Sequence, residues 1–256
     1  MATAVAVLGL GEAGSTLASG LADAGCTVRG WDPFVTATPA GVERADGAAE
    51  AVLGADLVLS LTTAEHAMDA AASVAPALTA RHLYADLNTT APALKREVAS
   101  VVEHTGAGFA DVALLGPVPS QGVETRTLAS GDGAERFAAL VRPFGMPVQV
   151  VGPEPGDAAG LKLLRSVFMK GLAASVLESS EGAKACGADD WLRREIADVI
   201  GVPLLERLLS GTVTHAERRH DEMEAAASHL EELGVEPRVS RAAAAWLEQL
   251  VLDRRS

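Results

Sequence analysis

Short apolar segments alternate with amphipathic segments over the first part of the chain. The apolar segments are continuous and end in polar or glycine residues, which is typical of strands that are buried on both faces. They are Val5–Leu8, Thr27–Trp31, Leu57–Leu61, Leu83–Asp86, Phe109–Ala113 and Val148–Val151. The intervening segments repeat apolar residues at helical spacing and are Ser15–Ala24, Glu65–Ala75, Ala91–Glu103 and Ala134–Val141. This alternation predicts an α/β domain with a doubly wound parallel sheet.

The pattern changes after a Pro/Gly-rich segment at residues 152–156. Beyond it no strand is predicted, and apolar residues keep a helical spacing. The predicted helices are Asp157–Ala185, Trp191–Val199, Pro203–Leu209, His215–Leu233 and Ser240–Leu252. The sequence therefore predicts two domains, an α/β domain over residues 1–152 and an all-α domain over residues 153–256.

Composition and charge narrow the classes of function. The 256 residues include 34 acidic and 21 basic side chains, and the net charge of −13 disfavours binding to nucleic acid or an anionic membrane. The apolar segment Ala4–Leu10 is too short to span a bilayer and follows no basic residue, so neither a signal peptide nor a membrane helix is predicted. Two distant cysteines, Cys26 and Cys186, indicate neither a disulfide framework nor a metal site. We therefore expect a cytoplasmic protein that acts on a small molecule.

A glycine-rich turn between the first predicted strand and helix is the strongest motif. It reads G-x-G-x-x-G, with glycines at Gly9, Gly11 and Gly14. The first allows a tight turn, the second lets a pyrophosphate approach the backbone, and the third lets the helix pack on the sheet. The motif predicts a Rossmann-type dinucleotide-binding domain; the alternative is a tight turn that binds no ligand. The predicted cofactor contacts in this turn are Gly9, Leu10, Gly11, Glu12, Ala13 and Gly14.

The end of the second predicted strand indicates which dinucleotide is bound. A carboxylate at Asp32 can accept hydrogen bonds from the adenosine ribose and would repel a 2′-phosphate, and the following Pro33–Val35 supplies no arginine. NAD is therefore predicted, with NADP as the alternative. Thr62, Thr63 and Asn88 follow later strands and should lie at the same edge of the sheet. For the threonines the alternative role is helix capping.

Four segments together resemble a known family. They are G-L-G-E-A-G at 9–14, D-L-N-T-T-A-P at 86–92, D-V-A-L-L-G-P-V-P at 111–119 and G-D-A-A-G-L-K-L-L-R-S at 156–166. In this order they resemble the β-hydroxyacid dehydrogenase superfamily, which includes 3-hydroxyisobutyrate dehydrogenase and 6-phosphogluconate dehydrogenase. The resemblance covers roughly the first 185 residues, and the remainder is similar to uncharacterised phosphogluconate-dehydrogenase-like oxidoreductases. It implies a homodimer formed through the C-terminal helices.

The resemblance also implies where the substrate binds. In the superfamily the segment corresponding to 86–92 has a Ser-Thr pair near substrate and nicotinamide, and Asn88 and Thr89 stand there. The segment corresponding to 111–119 usually has a Ser-Gly-Gly that binds the substrate carboxylate through backbone N–H groups. Here it reads Leu115-Gly116-Pro117. Because proline has no N–H, one donor is missing, which implies a different substrate.

The superfamily's catalytic lysine falls on Lys162, and the asparagine that usually follows it by one turn falls on Ser166. Lys162 stands in the otherwise apolar run Ala158–Leu164, with Arg165 and Lys170 at the flanks of its helix face. Partial burial lowers the pKa of a lysine and suits it to proton transfer near neutral pH. The alternative is a lysine that extends from a long helix into solvent. Arg165 is a further candidate for binding an anion.

A second polar cluster lies in a predicted C-terminal helix. His215, Arg219 and Glu222 are spaced to share one face, with Arg218 beside them. An arginine and a histidine on one face can hold a carboxylate or phosphate, and the alternative is a solvated, salt-bridged face. The spacing of His215 and His220 does not suit a zinc site, so no metal is predicted.

These features predict an NAD(P)-dependent oxidoreductase that transfers a hydride between nicotinamide and a small hydroxy acid or related polar alcohol, with Lys162 as general acid/base. The predicted substrate contacts are Asn88, Thr89, Gly116, Arg165, Ser166, His215 and Arg219. Two alternatives stay open. Imine reductases are similar in domain plan but usually have another residue in place of the lysine. A non-catalytic NAD(H)-binding sensor would keep the glycine motif and would need no lysine.

Overall fold

The computed structural model describes residues 2–255, without the side chains of Val213 and Arg255. The chain divides into two compact units, one ending at Gly160 and the other beginning at Leu161. Each unit has apolar core clusters of its own.

The first unit contains an eight-stranded sheet in the order β3-β2-β1-β4-β5-β6-β7-β8. Its strands are β1 (Ala4–Leu8), β2 (Thr27–Trp31), β3 (Val42–Arg44), β4 (Leu57–Ser60), β5 (Leu83–Asp86), β6 (Gly108–Leu114), β7 (Thr127–Ser130) and β8 (Val148–Gly152). The α-helices that lie wholly within this unit are α1 (Glu12–Asp23), α2 (Ala48–Val52), α3 (Ala67–Val74), α4 (Pro92–Glu103), α5 (Val118–Gln121) and α6 (Ala134–Val141). Pairing is parallel from β3 through β6, which confirms the predicted α/β class.

The long apolar strands are buried on both faces of this sheet. In β1, Val5 and Val7 belong to a core that includes Leu17 of α1, whereas Ala6 and Leu8 belong to a second core on the opposite face. Because successive strand residues point to opposite faces, a strand covered by helices on both sides has no polar face to solvate. This explains why the strands read as continuous apolar runs.

The sequence pattern does not predict β3 and β7. The strand β3 has three residues and only one is apolar, so it carries no detectable periodicity. The strand β7 begins and ends in buried polar residues, Thr127 and Ser130. It runs antiparallel to β6, because the connection between them contains only α5 and a 3₁₀ turn and no long crossover helix.

The remaining elements are helices. They are α7 (Asp157–Cys186), which begins in the first unit, α8 (Asp189–Ile200), α9 (Val202–Thr214), α10 (Ala216–Glu232) and α11 (Arg238–Arg255). Within the described residues no strand follows β8, as predicted. The helix α9 continues past Leu209, where we predict its end. It includes Gly211, at which a Cβ would lie 3.1 Å from the Arg219 guanidinium, so the glycine serves close packing rather than termination.

Two core clusters stabilise the helices of the second unit. One joins Leu163 of α7 to Met223 of α10 and Leu247 of α11. The other joins Val176 of α7 to Leu205 of α9, with α8 packed against it. No helix in the described part of the chain is both long and apolar enough to cross a bilayer. The same residues contain no group of three or more His, Cys, Asp or Glu side chains placed to hold a metal ion.

Candidate functional site

The three glycines of the turn after β1 differ in what surrounds them. A Cβ at Gly9 would lie 2.3 Å from the Leu61 carbonyl oxygen, and Gly9 has a φ of 96°, a conformation that favours glycine. A Cβ at Gly14 would lie 2.0 Å from the Gly9 carbonyl oxygen. At Gly11 a Cβ would meet no atom within 4 Å. Packing of the protein therefore requires glycine at two positions, and the third leaves open space at the turn.

This open space lies at the amino-terminal end of α1. The helix begins at Glu12, and no side chain caps it at Gly11. The first backbone N–H groups of a helix have no acceptor within the helix, and together with the helix dipole they attract anions. An exposed glycine beside such N–H groups fits the pyrophosphate of a dinucleotide.

Asp32 follows β2 and holds the turn in place. One carboxylate oxygen accepts the Leu10 N–H at 2.7 Å, and the other accepts the N–H groups of Phe34 and Val35 at 2.8 Å. Burial raises the pKa of Asp32, but the three N–H donors and the Arg44 guanidinium outweigh it, so the pKa lies below its usual value. A carboxylate can accept about four hydrogen bonds, so this ionised group retains capacity for a ribose hydroxyl.

Arg44 is a neighbour of Asp32 that the sequence did not indicate. It ends β3, which pairs with β2 so that Arg44 lies opposite Gly30. Its Nη2 donates to the Asp32 carbonyl oxygen at 2.7 Å. Arg44 lies 12 residues beyond Asp32 in the sequence, and the pairing of the three-residue strand β3 with β2 brings its guanidinium close.

Two exposed aromatic rings lie beyond Asp32. Phe34 and His66 stack with their ring centroids 5.8 Å apart and their planes at 26°. They follow β2 and β4, the two strands that flank β1. Phe34 is 76% exposed, so one face of its ring is accessible at this edge of the sheet.

The loops after β4 and β5 are joined through Asn88. Its amide donates to the Ser60 hydroxyl at 3.1 Å and accepts from the Thr62 hydroxyl at 3.3 Å, and its side chain is almost completely buried. Thr63 directly precedes a 3₁₀ turn but makes no capping hydrogen bond, and Thr89 is exposed. The structure therefore gives Asn88 a positioning role between two loops and leaves Thr63 and Thr89 at the surface.

Gly116 follows β6 and is covered by a neighbouring side chain. A Cβ at Gly116 would lie 2.1 Å from the Gln121 side-chain oxygen. Pro117 directly precedes α5 and supplies no N–H. The side-chain oxygen of Gln121, an acceptor, therefore lies beside Gly116, and no spacing in the sequence indicates this contact.

A buried charge cluster between β5, β6 and α4 was also missed. We call it the aspartate–lysine cluster; it consists of Asp86, Lys95 and Asp111. The Lys95 ammonium lies 3.4 Å from the Asp86 carboxylate and 3.2 Å from that of Asp111, and it donates to the Asp86 carbonyl oxygen at 2.7 Å. A lysine in an amphipathic helix is read as exposed by default, and only the packing of α4 on the sheet shows otherwise.

Asp111 connects this cluster to the start of α7. Its Oδ2 accepts the N–H group of Gly156, directly before that helix, at 3.1 Å and that of Ala159, in its first turn, at 3.0 Å. A carboxylate at a helix amino terminus satisfies free N–H groups and complements the helix dipole. The aspartate–lysine cluster therefore fixes where α7 begins.

The second unit contains a separate cluster, which we call the α7–α10 cluster; it consists of Ser166, Lys170 and Glu222. The Lys170 ammonium lies 2.9 Å from Glu222 Oε1 and donates to the Ser166 hydroxyl at 3.1 Å. The Ser166 hydroxyl in turn donates to Glu222 Oε1. Lys162, one turn before Ser166, is half-buried and interacts electrostatically with Glu222.

The ionisation of this cluster reflects burial and charge together. Burial alone would raise the pKa of Glu222, but the ammonium groups of Lys170 and Lys162 and the hydrogen bond from Ser166 hold that pKa below its usual value. Burial lowers the pKa of Lys170, and the Glu222 carboxylate opposes this only in part. Glu222 is thus an anion shared between two lysines.

The other predicted anion-binding residues have different surroundings. Arg165 is exposed, and Arg219 donates to the Thr212 hydroxyl at 2.6 Å. His215 lies outside α10, which begins one residue later than predicted, and lines a cavity of about 360 Å³ with Arg218. The three residues predicted to share one helix face therefore have separate surroundings. Glu222 contacts Ser166 and Lys170 of α7, Arg219 contacts Thr212, and His215 lines the cavity.

Comparison with known proteins decides the family. Residues 4–143, more than half of the chain, match a family model described as the NAD binding domain of 6-phosphogluconate dehydrogenase. The chain belongs to this family. The resemblance stated from the four motifs and the predicted nicotinamide dinucleotide cofactor are thereby confirmed. Residues 183–250 of this 6-phosphogluconate dehydrogenase-like protein match a domain of unknown function, DUF1932.

Two relatives are similar in sequence. An uncharacterised 28.5 kDa protein of Methanothermus fervidus is 29% identical over 67% of this chain and 66% of its own length. A probable 3-hydroxyisobutyrate dehydrogenase of Mycobacterium tuberculosis is 32% identical over 57% of this chain. That match spans 51% of the mycobacterial protein, so the chain matches about half of its length.

Solved structures match nearly the whole chain. A conserved hypothetical protein of Sinorhizobium meliloti is 30% identical, with a TM-score of 0.78. The match covers 97% of this chain and 88% of the S. meliloti chain. The 3-hydroxyisobutyrate dehydrogenase of M. tuberculosis, in a structure with L-serine, is 23% identical and has a TM-score of 0.83, over 99% and 95% of the two chains. An imine reductase variant from Myxococcus stipitatus with NAD+ is 20% identical, with a TM-score of 0.70 over 99% and 95%. The last two establish a shared fold. The individual site residues, the domain roles and the homodimer stay predictions.

Proposed function

We propose that the protein is an NAD(P)-dependent oxidoreductase that interconverts a small hydroxy acid, or a related polar alcohol, and its carbonyl form. The observation that carries this proposal is the glycine turn after β1. Protein packing accounts for Gly9 and Gly14, and the open space at Gly11, beside the amino terminus of α1, leaves room for the pyrophosphate of a dinucleotide.

The residues of the first unit would hold the dinucleotide. The turn from Gly9 to Gly14 would bind its pyrophosphate, Asp32 the adenosine ribose, and Phe34 would offer a flat apolar surface to the adenine. The loops with Thr62, Thr63 and Asn88 lie at the same carboxyl edge of the sheet. When bound, the nicotinamide ring accepts or donates a hydride.

Lys162 would supply the general acid/base. During oxidation its neutral amine would accept the proton of the carbinol oxygen, and during reduction its ammonium would return a proton to that oxygen. Asn88, Thr89, Gly116 and Ser166 would orient the substrate. Two observations support this role: Lys162 is half-buried, and it interacts electrostatically with the Glu222 carboxylate, which would stabilise its ammonium form against the effect of burial.

Imine reduction is the second candidate. It is favoured by Pro117, which removes a backbone donor expected for a substrate carboxylate, and by the fold shared with imine reductases. An imine has no carboxylate to hold. Lys162 favours the first candidate, since imine reductases usually have another residue in its place.

The test is the Lys162→Ala variant, with Lys184→Ala as the matched control on the same helix. We expect turnover to fall by about 10²–10⁴, the usual contribution of a general acid/base, while NADH binding measured by fluorescence stays unchanged. Substrates are found with a panel of hydroxy acids, sugar acids and cyclic imines. Unchanged turnover would remove Lys162 from the mechanism, and tighter binding of NADPH than NADH would contradict the role given to Asp32.

A further inference from the structure

Glu222 occupies the centre of the α7–α10 cluster. Its Oε1 atom is the acceptor for the Ser166 hydroxyl and lies 2.9 Å from the Lys170 ammonium. Its side chain is 9% exposed, and that of Lys170 is 14% exposed. A carboxylate so nearly removed from water is stable as an anion only when charged and hydrogen-bonding partners compensate its desolvation.

The spacing along α7 places Lys162 on the same side of the helix. Lys162, Ser166 and Lys170 follow one another at intervals of four residues, so they form one row along the helix. The two later members of the row contact Glu222 directly, and Lys162 acts on it through its charge. One carboxylate therefore faces two ammonium groups that lie on either side of Ser166.

We propose that Glu222 is a positioning residue that controls the proton affinity of Lys162, and that Lys170 limits this effect by sharing the carboxylate. The inference rests on the role proposed above for Lys162. Arg165 of α7 and Arg219 of α10 are the other charged groups that act on Lys170. Both are cations, so Glu222 is the anion that offsets the positive charges acting on Lys170.

Sharing of one carboxylate predicts opposite effects for its two neighbours. Removing the charge of Glu222 leaves the lysines to repel each other, so Lys162 should lose its proton more easily. Removing the charge of Lys170 leaves the carboxylate to Lys162 alone and removes a like charge, so Lys162 should hold its proton more tightly. Because any nearby charge shifts a titrating lysine in this way, the readout that a purely structural cluster would not move is the pH profile of turnover.

The chain allows a direct measurement, because its only lysines are Lys95, Lys162, Lys170 and Lys184. Lysine labelled with ¹³C at Cε gives few side-chain NMR signals, which can be assigned by substitution and titrated in the protein without substrate. For Lys162 we expect Glu222→Gln to lower the titration midpoint by about one unit, a tenfold loss of proton affinity. Lys170→Met should raise it. Glu224→Gln and Lys184→Met, exposed on the same two helices, should leave it unchanged.

Two further readouts separate positioning from folding. Glu222→Asp keeps the charge and should retain most of the wild-type midpoint. If Glu222→Gln does not fold, the expected rise of the midpoint in Lys170→Met is the test. The pH profile of turnover should move in the same direction as each midpoint. Shifts of the same sign in Glu222→Gln and Lys170→Met, or no shift, overturn the inference. Failure of the proposed function is distinct, because it would appear as unchanged turnover in Lys162→Ala with the midpoints still shifted.

Discussion

Each unit of this protein buries a lysine beside carboxylates, and the two clusters differ in closure and in charge. The aspartate–lysine cluster is closed, since the side chains of Lys95, Asp86 and Asp111 are at most 1% exposed. In the α7–α10 cluster the exposure rises to 14% at Lys170. Most hydrogen bonds of the first cluster are made with backbone groups, whereas the carboxylate of the second also interacts electrostatically with the half-buried Lys162.

The two clusters also differ in their ratio of carboxylates to ammonium groups. Two aspartates face one lysine in the first unit, and Asp86 Oδ2 has no hydrogen-bond partner among the described residues. Burial therefore raises the pKa of Asp86, and Lys95 opposes this only in part. One glutamate faces two lysines in the second unit, so its pKa is lowered. A cluster that only organises the fold can be closed to solvent, whereas the role proposed for Glu222 requires a neighbouring lysine that can exchange protons.

The largest expected effect on stability distinguishes the two lysines. Lys95→Met leaves two buried carboxylates without their cation, and we expect the free energy of unfolding to fall by about 3–5 kcal/mol. Lys170→Met should cost less, about 1.5–3 kcal/mol, because Glu222 keeps the Ser166 hydrogen bond and some access to water. Urea unfolding measures both, with exposed Lys184→Met as the control. Equal losses in the two variants would contradict the difference in closure.

A smaller effect is expected in the pH dependence of stability. Because the folded pKa of Glu222 is lowered, its stabilisation is present above the pKa of an unfolded glutamate and is lost as the pH falls through the folded value. The folded pKa of Asp86 is raised, so its contribution is present below the unfolded value and is lost as the pH rises through the folded one.

Substitution should therefore change the two pH profiles in opposite directions. Between about pH 7 and pH 4, we expect Glu222→Gln to lose less stability on acidification than the wild type and Asp86→Asn to lose more. Urea unfolding at a series of pH values measures these slopes. Slopes that change in the same direction would refute the opposite charge balance of the two clusters.

The smallest effect concerns the exposed rings of the first unit. If Phe34 offers its face to adenine, Phe34→Ala should weaken ADP-ribose binding by about 1 kcal/mol, or roughly fivefold in Kd. Phe168→Ala, which removes a similarly exposed ring from the second unit, should have no effect, and neither should Glu222→Gln. Calorimetric titration with ADP-ribose measures the affinity. An unchanged Kd in Phe34→Ala would remove this ring from the cofactor site.

The local sequence pattern was sufficient to predict most helices and strands and the glycine turn of the candidate cofactor site. The helix α6 has the bounds that its apolar spacing predicts, and the glycine turn lies between β1 and α1 as expected. Such features depend on neighbours in sequence. The clusters could not be found in this way, because Asp111 reaches residues 45 and 48 positions away and Ser166 meets Glu222 from 56 positions away.

Arg44 and Gln121 illustrate the same limit at the scale of a loop. Each supplies a polar group beside a residue that the sequence had singled out, Asp32 and Gly116 respectively. Neither stands in a motif, and their positions follow from strand pairing and from a short helix after a proline. Predictions made from the motif residues alone therefore omit polar side chains that the fold brings beside them.

The sequence by itself determined the alternation of strands and helices, the dinucleotide-binding turn, the family and a candidate lysine, because each of these is written in residues close together in the chain. The tertiary structure decided which lysines are buried, which carboxylates they meet and where α7 is anchored. The physical reason is that burial and charge pairing depend on which surfaces come together, and a side chain on an amphipathic helix reads the same in sequence whether it faces water or a buried carboxylate.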